Sequence, residues 1–158
     1  MKGVQKSIEV FKRSPLVFDL FVNRLHNWWP RAYTWSGDAL VEIRIDARVD
    51  GWCTETGPLG FRCDWGRVLQ VVTGEKLVFL WQISPLRTPE PDPDKASLVQ
   101  VQFEVIEQGA TRVTLWHTGF ENHGEGAADY ARNMDSDKGW KYILETFAQF
   151  AGNYTAPV

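Results

Sequence analysis

Metal, phosphate and thiol chemistry have little to work with in this chain. Its 158 residues include two cysteines, two methionines and three histidines, too few and too scattered for a structural zinc site. It has no glycine-rich phosphate loop, no nucleophile elbow and no catalytic pairing of cysteine with histidine. No run of Lys and Arg interrupts a formal net charge of −3, so the basic footprint of a nucleic-acid binder is missing. No apolar stretch approaches the roughly 18 residues that a membrane span requires. The first fifteen residues alternate polar with apolar and lack the apolar core of a secretory signal. These absences leave a cytoplasmic chain folding as one domain over residues 1–158, with no cofactor and no metal expected. A homodimer stays open.

Tryptophan is what the chain has in excess, with eight copies. Trp28 and Trp29 close a helical segment just before Pro30. Trp52, Trp65, Trp81 and Trp116 fall on predicted strands, Trp35 falls in a loop, and Trp140 opens the apolar stripe of the last helix. An indole is large and stiff, and its N–H wants a partner. Leu, Ile and Val would suffice to fill a core of this size. Rings facing one another from sheet and helix therefore predict a lined hollow.

Hydrophobic periodicity sets the element order. Residues 4–11 alternate as a strand. Ser14 then Pro15 signals a helix start with a hydroxyl cap, giving a short helix to about Phe21 and a second from Val22 to Trp29. Strands follow at 40–47, with Val41, Ile43 and Ile45 inward, at 52–56 after the Asp50-Gly51 turn, at 61–72, and at 77–83. Ser84–Ala96 is a proline-rich polar loop without strand capacity. Two more strands run from about Val99 to Val105 and Val113 to His117. Ala127–Met134 makes a turn or two of helix. A last helix starts under a Ser136 or Asp135 cap, carries Trp140, Ile143, Leu144, Phe147 and Ala151 on one face, and ends with Gly152 as a left-handed cap. Cys53 and Cys63 are expected almost opposite each other on neighbouring strands. In a cytosolic chain they read as reduced thiols packed as small apolar groups.

An apolar helix stripe and an apolar sheet face must each be buried. The economical arrangement is an α+β fold in which six to seven antiparallel strands curl around the long C-terminal helix, with the two short helices plugging one end. Strict alternation points Phe79, Trp81, Val101, Phe103, Val113 and Leu115 inward. His117 shares that face and is the one ionisable side chain placed there late in the sheet. Glu121 and His123 just beyond it are a weak metal pair.

Several segments resemble the helix-grip superfamily, which includes START lipid-transfer domains and the birch pollen allergen. These are Ser14-Pro15 through Phe18 to Trp28-Trp29-Pro30, Trp65-Gly66-Arg67-Val68, Leu77 to Trp81, Thr111 to Phe120, and Gly139-Trp140 through Leu144. Together they span nearly the whole chain. The nearest likeness is to the bacterial single-domain group related to the activator of the heat-shock-protein-90 ATPase. The Asp50-Gly51 turn departs from the Gly-Gly often found there. The resemblance implies the helix-grip fold and an apolar ligand between sheet and helix. ATPase activation is not carried over, because the eukaryotic protein's additional N-terminal domain is not expected here.

Three readings follow. The first is binding of a small hydrophobic or aromatic molecule by walls drawn from Trp29, Trp65, Phe79, Trp81, Phe103, His117, Trp140, Leu144 and Phe147, in a hollow of several hundred Å³. The second is a cyclase- or hydrolase-type enzyme using His117 as its acid–base group. The third is a chaperone-cofactor-like interaction module, which requires a broad exposed apolar patch.

Overall fold

The computed structural model describes residues 3–156. Seven antiparallel strands form one sheet: β1 (Val4–Val10), β2 (Glu42–Ile45), β3 (Trp52–Thr56), β4 (Arg62–Val72), β5 (Lys76–Trp81), β6 (Ser97–Glu107) and β7 (Ala110–Thr118), in the spatial order β1-β7-β6-β5-β4-β3-β2. Consecutive strands from β2 to β7 are neighbours, as hairpins require. Only β1 leaves sequence order, so the chain must cross from one sheet edge to the other between β1 and β2. The helices α1 (Ser14–Asn23) and α2 (Leu25–Trp28) make that crossing, and a curled sheet shortens it.

Curvature has a local cause. Register shifts interrupt the β3/β4, β4/β5 and β6/β7 pairings, and each bulge bends its strand and adds twist. In β4, Cys53 faces Gly66 while Thr54 faces Asp64, which leaves Trp65 as the extra residue. The inward phase therefore passes from Cys63 and Trp65 to Gly66 and Val68, all buried. This explains why residues 65–72 do not alternate cleanly. Gly66 permits the shift, because a Cβ there would lie 2.7 Å from the Leu80 carbonyl oxygen and 3.1 Å from Cys53 Sγ.

The helix α3 (Ala127–Asp135) precedes α4 (Trp140–Asn153), which lies in the grip of the sheet. Trp140, Ile143, Leu144, Phe147 and Ala151 are all buried, so the predicted stripe faces the core. The core continues through Phe18 and Phe21 of α1, whose rings meet Phe103 edge-on at 5.2 and 5.6 Å. Among the described residues, no helix is long and apolar enough to cross a membrane.

Several boundaries differ from expectation. The last helix begins at Trp140, because Ser136 Oγ turns back to donate to the Asn133 carbonyl and Gly139 occupies the N-cap. A Cβ on Gly139 would strike the Met134 carbonyl, so the chain needs glycine to double back there. Gly152 lies within α4 and is not left-handed; the helix runs on to Asn153. Ser14 is the first helical residue, and Arg13 is the N-cap without a side-chain bond. The second short helix covers only Leu25–Trp28. Strand β2 starts at Glu42 and leaves Val41 exposed. Cys53 and Cys63 do not face each other, because Cys63 pairs with Glu55 across the bulge. Both are free, buried thiols.

Candidate functional site

Between the β2–β5 end of the sheet and the start of α4 lies a cavity of about 580 Å³. Four of the eight indoles line it: Trp29, Trp65 and Trp81 form its walls, joined by Trp35, with Tyr33, from the loop after α2. Ile43, Ile83, Met134 and Ile143 add apolar surface. Trp29 lies nearly parallel to Trp65, at 6.2 Å between centroids and 24° between planes. Trp65 meets Trp81 edge-on at 5.9 Å, and Trp81 meets Trp140 at 5.3 Å. Sheet and helix indoles thus converge, with Trp140 packed behind the wall.

Among the described residues, four indoles donate their N–H to the protein. Trp28 donates to the Phe21 carbonyl, Trp35 to the Arg87 carbonyl, Trp81 to the Tyr130 hydroxyl and Trp140 to His117 Nδ1. Trp65 is different, because its N–H is both buried and unpartnered. It is 2 % exposed, and its Nε1 is buried with no partner among the described residues. An unmade buried hydrogen bond costs about 1–3 kcal/mol.

Glu55 is the acidic group of the wall and is fully buried. Its Oε1 accepts from the Trp35 backbone N–H at 3.2 Å, and its Oε2 accepts from the Ser36 N–H and Oγ–H, both at 2.8 Å. The carboxylate is therefore committed to holding the Trp35–Ser36 loop over the cavity. Its sequence signal was its phase, since Glu55 alternates with Cys53 on the inward side of β3.

Arg87 reaches the cavity from the proline-rich loop between β5 and β6, and it carries a left-handed backbone, φ 63°. That loop is folded back on itself. Arg87 N–H donates to the Ser84 carbonyl at 2.9 Å, and Ile83 bridges to Pro89. Tyr33, also on the wall, donates its hydroxyl to the Lys138 carbonyl at 2.7 Å. Burial and the neighbouring Tyr142 raise the Tyr33 hydroxyl above its usual range, while the Arg87 charge works the other way.

Of the residues singled out by sequence, Trp29, Trp65 and Trp81 reach the wall. Phe79 packs edge-on against Trp65 at 6.0 Å, behind the lining. Phe103, Leu144 and Phe147 fill the core; Phe147 stacks edge-on with Phe21 and Trp28. His117 is 0 % exposed and lies off the cavity. Because Trp140 can only donate, His117 Nδ1 must accept, and the neutral ring then carries its proton on Nε2 and donates to Ser97 Oγ at 2.7 Å. His123 Nε2 also meets Ser97 Oγ, at 2.8 Å. Burial holds His117 well below the usual imidazole range, and the positive fields of His123 and Arg87 add to this. Glu121 is exposed. Among the described residues, no three His, Cys, Asp or Glu side chains converge as metal ligands.

A family model described as activator of Hsp90 ATPase homolog 1-like protein matches residues 15–152. Among solved structures, an anthrahydroquino-gamma-pyrone synthase, Txn09, is similar at 28% identity and TM-score 0.67, over 94% of this chain and 96% of that one. CalC, a self-sacrificing resistance protein from Micromonospora echinospora, is similar at 28% identity and TM-score 0.65, over 94% and 93%. Protein NE0264 from Nitrosomonas europaea shares the fold at 16% identity and TM-score 0.64, over 94% and 93%. No curated protein matches significantly.

Proposed function

The chain belongs to the activator of Hsp90 ATPase homolog 1-like family, and from that premise we propose that it binds a small flat aromatic molecule between its sheet and its C-terminal helix. The observation that carries this reading is the cavity of about 580 Å³ walled by Trp29, Tyr33, Trp35, Trp65 and Trp81. Volumes of roughly 300–1,000 Å³ are usual for small-molecule sites. Rings on several sides favour a planar guest, because stacked and edge-on contacts each add about 0.5–1.5 kcal/mol beyond simple burial. The unpartnered Trp65 N–H favours a guest that carries a hydrogen-bond acceptor. The similar synthase is named for forming an anthrahydroquino-gamma-pyrone, which supports a flat aromatic ligand class here.

A cyclase-type reaction is the second reading, favoured by that likeness alone. Neither the wall's carboxylate nor the histidine read from the sequence is free to serve it. Glu55 is engaged by three donors, and His117 is buried elsewhere. An interaction module finds less support. Among the described residues, the most exposed large apolar side chains, Phe11, Leu59 and Leu86, belong to three different connecting segments.

Titration of tryptophan fluorescence tests the proposal. Anthraquinones, naphthoquinones and flavonoids should quench it saturably with one site per chain, and a C16 acyl chain should not. Binding of the acyl chain without binding of any flat ring system would overturn the reading.

A further inference from the structure

Charge at the cavity is unevenly spent. One acidic and two basic side chains line it: Glu55, Arg87 and Lys138. Glu55 is consumed by the Trp35–Ser36 loop. Asp135 and Asp137, close in sequence to Lys138, pair with Lys6 and Lys141. Among the described residues, no carboxylate lies within ion-pair distance of Arg87. Its guanidinium N–H groups meet only Met134 Sδ, at 3.7 Å, a weak acceptor for a group with five donors.

The guanidinium is nevertheless held in place. Its carbon sits 4.8 Å from the centroid of the Tyr130 ring, a cation–π contact that holds the group without pairing it to an anion. Tyr130 is itself fixed, accepting from Trp81 Nε1 at 2.7 Å and donating to the Ile83 carbonyl at 2.9 Å. The Arg87 carbonyl accepts from Trp35 Nε1 at 2.8 Å. A left-handed conformation at a residue other than glycine is costly, and here these contacts retain it. Its positive charge acts on wall and core alike, opposing the upward shifts of Tyr33 and Tyr130 and deepening the downward shift of His117.

A pre-positioned, unpaired planar cation beside indole walls selects among flat aromatics. We infer that the ligand is an aromatic acid: its anionic oxygen, a carboxylate or an ionised phenol, docks on the Arg87 guanidinium, and its ring system lies against Trp29, Trp65 and Trp81. This rests on the binding reading above and narrows it. One guanidinium matches one carboxylate in bidentate fashion, a geometry that Lys cannot copy. Lys138 adds a second, more mobile positive charge on the same wall.

A matched pair of probes tests this. Anthraquinone-2-carboxylate and its neutral carboxamide have nearly the same shape and ring system. Both should quench tryptophan fluorescence, with the carboxylate binding at least tenfold more tightly, and raised salt should narrow the gap. Arg87→Gln should bring the carboxylate to the level of the carboxamide while leaving carboxamide affinity within twofold. Arg87→Lys should keep only part of the preference. Arg67→Gln, on an arginine stacked over Trp52 outside the cavity lining, should change neither probe. Equal affinity for the two probes in the unaltered protein would overturn the inference and leave the aromatic-binding reading standing. So would an Arg87→Gln variant that weakens both probes alike. Failure of both probes to bind would remove both conclusions.

Discussion

The indole of Trp140 donates to Nδ1 of His117 across 2.9 Å, joining the first residue of the gripped helix to the end of the last strand. This bond fixes the histidine tautomer and passes the proton side to Ser97. His117 thereby ties α4 to β7 and, through Ser97, to β6. Replacing it with Ala should leave the Trp140 N–H unpaired and open a void. We predict a loss of about 2–4 kcal/mol in stability, read as a lower urea midpoint with unchanged slope. Ligand affinity measured at a temperature where the variant is folded should stay within about threefold of the parent, the sense of the prediction being that His117 acts on the fold. A thousandfold effect on binding or turnover without loss of stability would contradict this.

The same network makes stability depend on pH. Burial lowers the pKa of His117 well below 6.5 and lowers that of His123 as well, although Glu90 pulls His123 upward. In the unfolded chain both imidazoles titrate near their ordinary value. Below that value the unfolded state binds more protons than the folded one. Stability is therefore full above about pH 6.5 and falls as the pH drops through that value towards the lower folded ones, at up to roughly 1.4 kcal/mol per unit for each histidine. Urea unfolding at pH 7.5 and 5.5 should differ by roughly 2 kcal/mol, and His123→Gln should shrink the difference. A flat profile would contradict the assignment of neutral buried imidazoles.

Glu55 gathers the Trp35 and Ser36 amides and the Ser36 hydroxyl. Glu55→Ala should free all three donors and loosen the loop that carries Trp35. Hydrogen exchange at the Trp35 and Ser36 amides should speed up by tenfold or more, and quenching by flat aromatics should weaken. Glu55→Gln keeps one acceptor oxygen and should fall between the two. Unchanged exchange in Glu55→Ala would show that something else orders the loop.

The two cysteines should be inert in the folded protein. Burial, reinforced by the charge of Asp46, pushes the Cys53 thiol far above its usual range, and burial with Glu55 and Asp64 pushes Cys63 up to about 12. Since the thiolate is the reactive form, Ellman's reagent at pH 8 should label neither thiol until urea unfolds the chain, and then label both. Fast labelling of the native protein would contradict the packing described for β3 and β4.

Strand alternation made the sheet readable, and the spacing of Trp140, Ile143, Leu144 and Phe147 made the gripped helix readable. Those signals report which face of an element is apolar. They do not report depth along it, so Phe103 and Phe147, which pack with α1 rings, looked the same as Trp81, which borders open space. Bulges were also hidden, because a single extra residue such as Trp65 resets the phase without changing composition. Arg87 left no trace in the sequence. Its place depends on how a proline-rich loop folds back, and on the tertiary contacts of Tyr130 and Trp35. Ser136 resembled a helix cap, but the need for glycine at 139 decided the start.

The central claim is that Trp29, Trp65 and Trp81 border a space that a flat aromatic molecule enters. Assigned indole N–H resonances in a ¹H–¹⁵N spectrum test it directly, as anthraquinone-2-carboxylate is added. The signals of these three should move saturably together, with Trp65 moving most as its unpaired N–H gains an acceptor, while Trp28 and Trp52 stay in place. Movement of Trp52 alone, or no movement of Trp65 at saturating ligand, would contradict the claim.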